Sequence, residues 1–83
     1  MTNTYDERAK KDLVQIGINI AALRKAKQYS QEVLAEKVGL STVDISLIES
    51  VNVDNNCSME VIYSIASALD VAPEELFKGT SAF

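Results

Sequence analysis

Histidine is absent from this chain, and cysteine occurs once, at Cys57. A single thiol closes no internal disulfide, and without histidine or a second cysteine the usual zinc ligand sets cannot form. Imidazole-based acid–base chemistry is excluded with them. Cys57 lies in the polar run VNVDNNC (51–57), with no neighbouring base to draw out a thiolate. The adjacent acids Glu74 and Glu75 resemble a catalytic dyad only on paper. They follow Pro73 directly, and acids in the first turn of a helix complement its dipole. Lys10-Lys11 reads as a solvated helix face, and Tyr5, Tyr29 and Tyr63 read as edges of a core. No catalytic residue, metal site, cofactor or small-molecule ligand is implied, and an enzyme is not expected.

The remaining chemistry is charge and hydrogen bonding. The 83 residues carry a net charge of −4. Taken alone, that argues against a nucleic-acid ligand, because phosphate neutralisation supplies much of such affinity. The distribution is uneven, however. Residues 1–37 hold Arg8, Lys10, Lys11, Arg24, Lys25, Lys27 and Lys37 against five acids, whereas residues 38–83 hold only Lys78 against seven. A local basic face therefore remains available.

The elements that must position these groups read as helices throughout. Leu13, Ile16, Ile20 and Leu23 form one apolar stripe at helical spacing, predicting a helix from about Asp6 to Lys27. Ser30 suits the N-cap of a helix Gln31–Val38 with Leu34, Ala35 and Val38 inward, and Gly39 suits its left-handed stop. Ser41 can cap a third helix, Thr42–Ser50, that buries Ile45 and Ile48. Val51–Cys57 reads as a loop. Ser58 can cap a fourth helix with an inner stripe of Met59, Ile62, Ala66 and Leu69. Asp70-Val71-Ala72 breaks it, Pro73 opens a short fifth helix carrying Leu76 and Phe77, and Gly79 ends that helix before a tail, Thr80–Phe83. Five helices with short loops predict a single all-α domain over 1–83, with a core of about 13–78. No apolar run approaches the ~18 residues of a membrane span and no leader opens the chain, so a cytoplasmic protein is expected.

The window Gln31–Ser50 (QEVLAEKVGLSTVDISLIES) is the informative one. Two short helices meet at a tight glycine turn, with small Ala35 where they approach and Leu34, Val38, Leu40, Ile45 and Ile48 between them. That layout projects the second helix outward. In order and spacing, Ile20-x-x-Leu23-Arg24, Ser30-Gln31-x-x-Leu34-Ala35, Gly39-Leu40-Ser41, Ile45-Ser46-x-Ile48-Glu49 and Ile65-Ala66-x-x-Leu69 before Leu76-Phe77 resemble the XRE family of helix-turn-helix proteins, the fold of lambda-type repressors and Cro. The resemblance covers about Ile16 to Phe77.

The resemblance implies a compact lambda-repressor-like domain that binds double-stranded DNA and regulates transcription, most simply as a repressor and a homodimer on a palindromic operator. Gln31 matches a DNA-backbone contact, and Ser41, Thr42, Val43, Asp44, Ser46 and Leu47 occupy the recognition-helix surface. Lys25, Lys27, Lys37 and Asn52 are the accompanying phosphate candidates. Arg24 and Glu49 match an internal salt bridge. The expected dimer patch comprises Tyr63, Leu76, Phe77 and Phe83, with Val14 and Ile18 beside the tail. The departures lie on the DNA-facing side. Thr42–Ser50 contains no basic residue, Val43 and Leu47 stand where polar readers are usual, and Val51-Asn52 replace the usual glycine and basic residues. Two readings stay open: a DNA reader that uses thymine methyls and a carboxylate, or a fold turned to a protein partner such as a toxin or another regulator.

Overall fold

The computed structural model describes residues 4–50 and 58–80 of the chain. Four α-helices run in order: α1 (Thr4–Ala26), α2 (Gln31–Val38), α3 (Thr42–Glu49) and α4 (Met59–Ala68). A 3-10 segment, Pro73–Phe77, follows. The expected short fifth helix is thus present as a 3-10 segment. Left-handed backbone at Asp70 (φ 57°) precedes it and at Gly79 (φ 81°) follows it. At its start Glu75 N–H donates to Ala72 O at 2.9 Å, an i→i+3 bond.

The helix starts follow serine chemistry. Ser30, Ser41 and Ser58 each accept the N–H of the residue three positions on, at 3.0, 3.0 and 3.3 Å. Three helix ends share one backbone solution. Gln28, Gly39 and Asp70 each take positive φ. After each, the chain donates a six-residue bond back into the helix: Tyr29 N–H to Arg24 O, Leu40 N–H to Ala35 O and Val71 N–H to Ala66 O, at 3.1, 2.9 and 3.0 Å. These are Schellman closures. Only the middle one is built on glycine.

The elements enclose one core. Ile16 and Ile20 of α1, Leu34 and Ala35 of α2, Ile45 and Ile48 of α3, Ile62, Ile65 and Ala66 of α4, Leu69 at its cap, and Leu76 of the 3-10 segment are buried. α1 packs on α3 and the 3-10 segment, while α2 packs on α3 and α4. Met59 is not part of this core; it is 52% exposed, and Ile65 supplies the inward position instead. Helical side chains tilt toward the N-terminus, so the first residue of α4 reaches past the end of the packed layer. Gly17 is buried where α1 crosses α3, and a Cβ there would stand 2.4 Å from Ile48 O. Asn19 closes the other side of α1. Its Nδ2 donates to Leu76 O at 2.9 Å and Lys78 O at 2.8 Å, and its Oδ1 accepts from Gln15 at 3.0 Å. No helix among the described residues is long and apolar enough to cross a membrane.

Candidate nucleic-acid interface

α3 divides cleanly into two faces. Ile45 and Ile48 point into the core, at 0% and 6% exposure, and Val43 lies on the opposite side at 67%. At 100° per residue, Ser46 and Leu47 flank Val43 on the outward face, with Thr42 and Asp44 at its margins. Ser41, Thr42, Val43, Asp44, Ser46 and Leu47 are all exposed, so the structure brings these six together on one surface. A reciprocal cap orders its leading edge. Asp44 N–H donates to Ser41 Oγ at 3.0 Å, and Ser41 N–H donates to Asp44 Oδ2 at 3.1 Å. The bond from the Ser41 backbone, reinforced by the Ser41 side chain, holds the Asp44 carboxyl below its ordinary range.

The far end of α3 is anchored from below. Arg24 Nε and Nη2 donate to Glu49 Oε2 and Oε1 at 2.6 and 2.9 Å, a bidentate pair. Arg24 Nη1 donates to Tyr29 O at 2.8 Å. Hydrogen bonding to Glu49 is the main cause raising the guanidinium above its ordinary value, against the cost of burial. Gln31 Nε2 donates to Glu49 Oε1 at 3.0 Å. The Glu49 carboxylate thus joins α1, α2 and α3 in one network. Gln31, matched to a DNA contact, is half-buried and has committed one amide N–H to this network; its carbonyl oxygen and second N–H remain.

The phosphate candidates divide. Lys25 and Lys27 are exposed around the end of α1. Lys37 stands 5.1 Å from the centroid of the Tyr29 ring, a cation–π contact. Lys37 is exposed and also lines a groove between α2 and α4 with Val38, Tyr63, Ser64, Ser67 and Ala68. Asn52 and Cys57 lie outside the described residues, as do Phe83 and the side chain of Tyr5. Within the expected dimer patch, Tyr63 is 56% exposed and Phe77 is half-buried. Leu76 does not belong to such a patch: it is fully buried in the core and has no surface to offer a second copy. Val14 is half-buried and Ile18 is 46% exposed. Glu75 is ion-paired with Lys78 at 2.8 Å.

Sequence reasoning missed Gly17, Asn19 and Gln28. A glycine inside a helical stripe, costing about 1 kcal/mol against alanine, was the available signal for Gly17. Nothing in local sequence marks Asn19 or Gln28.

No curated protein matches the chain. A family model described as helix-turn-helix matches residues 20–76. The restriction–modification controller protein C.AhdI from Aeromonas hydrophila is 40% identical, with a TM-score of 0.73 over 81% of this chain and 98% of that one. A hypothetical transcription factor, NHTF, from Neisseria is 31% identical, with a TM-score of 0.72 over 82% of this chain and 77% of its own. With its α2–turn–α3 unit inside the matched span and its outward α3 face, the chain belongs to the XRE-type helix-turn-helix family.

Proposed function

We propose that this domain is a sequence-specific DNA-binding transcriptional regulator that lays α3 in the major groove. The observation that carries this reading is the two-sidedness of α3: four polar side chains and the apolar Val43 and Leu47 face out, while Ile45, Ile48 and Glu49 lock its back to the body. Similarity to a controller protein and to a hypothetical transcription factor supports it. Phosphates are met by Lys25, Lys27, the remaining polar atoms of Gln31 and exposed amides at the start of α2. A single domain contacts little DNA, so two copies on an inverted repeat, acting as a repressor, complete the reading. Tyr63 and Phe77 are the surface groups that support such pairing.

Selection of purified protein on a randomised duplex pool at low salt tests this. Enrichment of an inverted repeat is the expected result, with half-sites spaced by about one helical turn. Binding should then weaken gently with salt, because log K falls by roughly 0.9 per log unit of salt for each phosphate neutralised and cations near α3 are few. Failure to enrich any sequence with folded protein refutes the reading. One feature favours a second one: Val43 and Leu47 are 67% and 49% exposed with no cation on α3. On that reading α3 is an apolar contact for a protein partner, and Val43→Asp with Leu47→Asp abolishes partner capture from a domain that selects no DNA.

A further inference from the structure

The outward face of α3 has an unusual donor–acceptor balance. Guanine shows the major groove two acceptors, N7 and O6, and is best read by a guanidinium or ammonium. α3 supplies neither, nor a carboxamide; its donors are the hydroxyls of Thr42 and Ser46, with that of Ser41 at the cap. At the centre of the face stand two apolar side chains one turn apart, Val43 and Leu47, both exposed. The apolar feature of the major groove is the thymine 5-methyl group. At the margin stands the acceptor-only carboxylate of Asp44. Its Oδ2 is fixed by Ser41 N–H at 3.1 Å, which sets the orientation of the group and leaves Oδ1 to accept a further bond. A carboxylate beside guanine meets only lone pairs. Beside adenine it meets the 6-amino group together with the N7 lone pair. Beside cytosine it meets the 4-amino group next to a C5–H, with no competing acceptor.

We propose that α3 reads its half-site from the pyrimidine side of the major groove, with Val43 and Leu47 against thymine methyls and Asp44 accepting from a cytosine 4-amino group. This rests on the DNA-binding reading above and specifies which base edges the domain recognises. The contacted strand of the half-site is a short pyrimidine run, and guanines in the opposite strand are tolerated rather than read.

The test starts from the selected inverted repeat. Uracil in place of thymine at the central positions removes one methyl each and should weaken binding about fourfold per contacted methyl. The 7-deazaguanine replacement removes the N7 acceptor and should leave affinity unchanged. Asp44→Asn keeps an oxygen for Ser41 N–H, so helicity by circular dichroism should match the parent. Its preference for cytosine should fall roughly tenfold, with adenine rising, since a carboxamide pairs with adenine N6 and N7. A site insensitive to uracil but weakened by 7-deazaguanine overturns this inference alone, as does an Asp44→Asn variant with unaltered base preference. Selection of no sequence at all by the folded parent overturns the DNA-binding reading and this inference together.

Discussion

Replacing Gly17 by alanine sets two expectations of opposite sign against each other. Gly17 sits in the middle of α1, where glycine costs about 1 kcal/mol relative to alanine, so propensity alone predicts a more stable protein. The structure predicts the reverse. The added Cβ would lie 2.4 Å from Ile48 O and 3.4 Å from Glu49 Cα, both backbone atoms of α3. Ordinary contact begins near 3.4 Å, so α1 and α3 would have to separate by about 1 Å at their crossing. No side-chain rotation relieves this, because the obstacle is main chain. Overpacking of that kind costs typically 1–3 kcal/mol and occasionally more. Backbone obstruction places this case at or above the top of that range, which exceeds the propensity gain. The net loss should be about 2 kcal/mol, and at 4–8 °C per kcal/mol Tm should fall by roughly 8–16 °C. Urea denaturation and a thermal scan of Gly17→Ala beside the parent measure it. An unchanged or higher Tm would refute the argument, showing that α1 can ride away from α3 at negligible cost.

Arg24→Met leaves the Glu49 carboxylate, its side chain 5% exposed, without its cation, and should cost about 3–5 kcal/mol by urea unfolding. Gln28→Gly removes a side chain from left-handed backbone at the end of α1 and should stabilise by about 1 kcal/mol, read as a higher urea midpoint at unchanged slope. The pH dependence of stability should carry an acid limb from Asp44. Its folded carboxyl titrates below the ordinary 3.8, so its contribution is present in full above that value and is lost as pH falls through the lower folded value. In Asp44→Ala that limb should be absent from urea midpoints measured at descending pH, while a retained limb would assign it to another acid.

Much of the fold was legible because its boundaries use strong local chemistry. Ser30, Ser41 and Ser58 cap where expected, and Gly39 stops α2 as glycine does. The apolar positions of α2 and α3 sit at helical spacing, so their inward faces could be read directly. The pairing of Arg24 with Glu49 came from the family pattern and is present at 2.6 Å. The illegible parts depend on partners far along the chain or on backbone states that residue type does not advertise. Gln28 and Asp70 adopt the same left-handed state as Gly39 because the six-residue bonds behind them outweigh the side-chain penalty. The family pattern places Leu76 in a dimer patch, whereas its side chain fills the core, a packing that depends on helices far along the chain. Gln31 was matched to an external contact, yet its amide also reaches Glu49, a partner 18 residues away that local pattern cannot show.

The Asn19 clasp bears on how the domain assembles. It joins residues 57 and 59 positions apart, whereas α2 and α3 meet across a three-residue turn. Loop closure favours the near contact first, so the helical hairpin forms early and the clasp sets after the transition state. Loss of the two carbonyl bonds in Asn19→Ala should then quicken unfolding while leaving the refolding arm of the chevron in place. A slower refolding arm would instead put the clasp in the nucleus. The side chain of Asn19 is in this sense a latch on lifetime: it governs how long the closed domain persists more than how quickly it is reached.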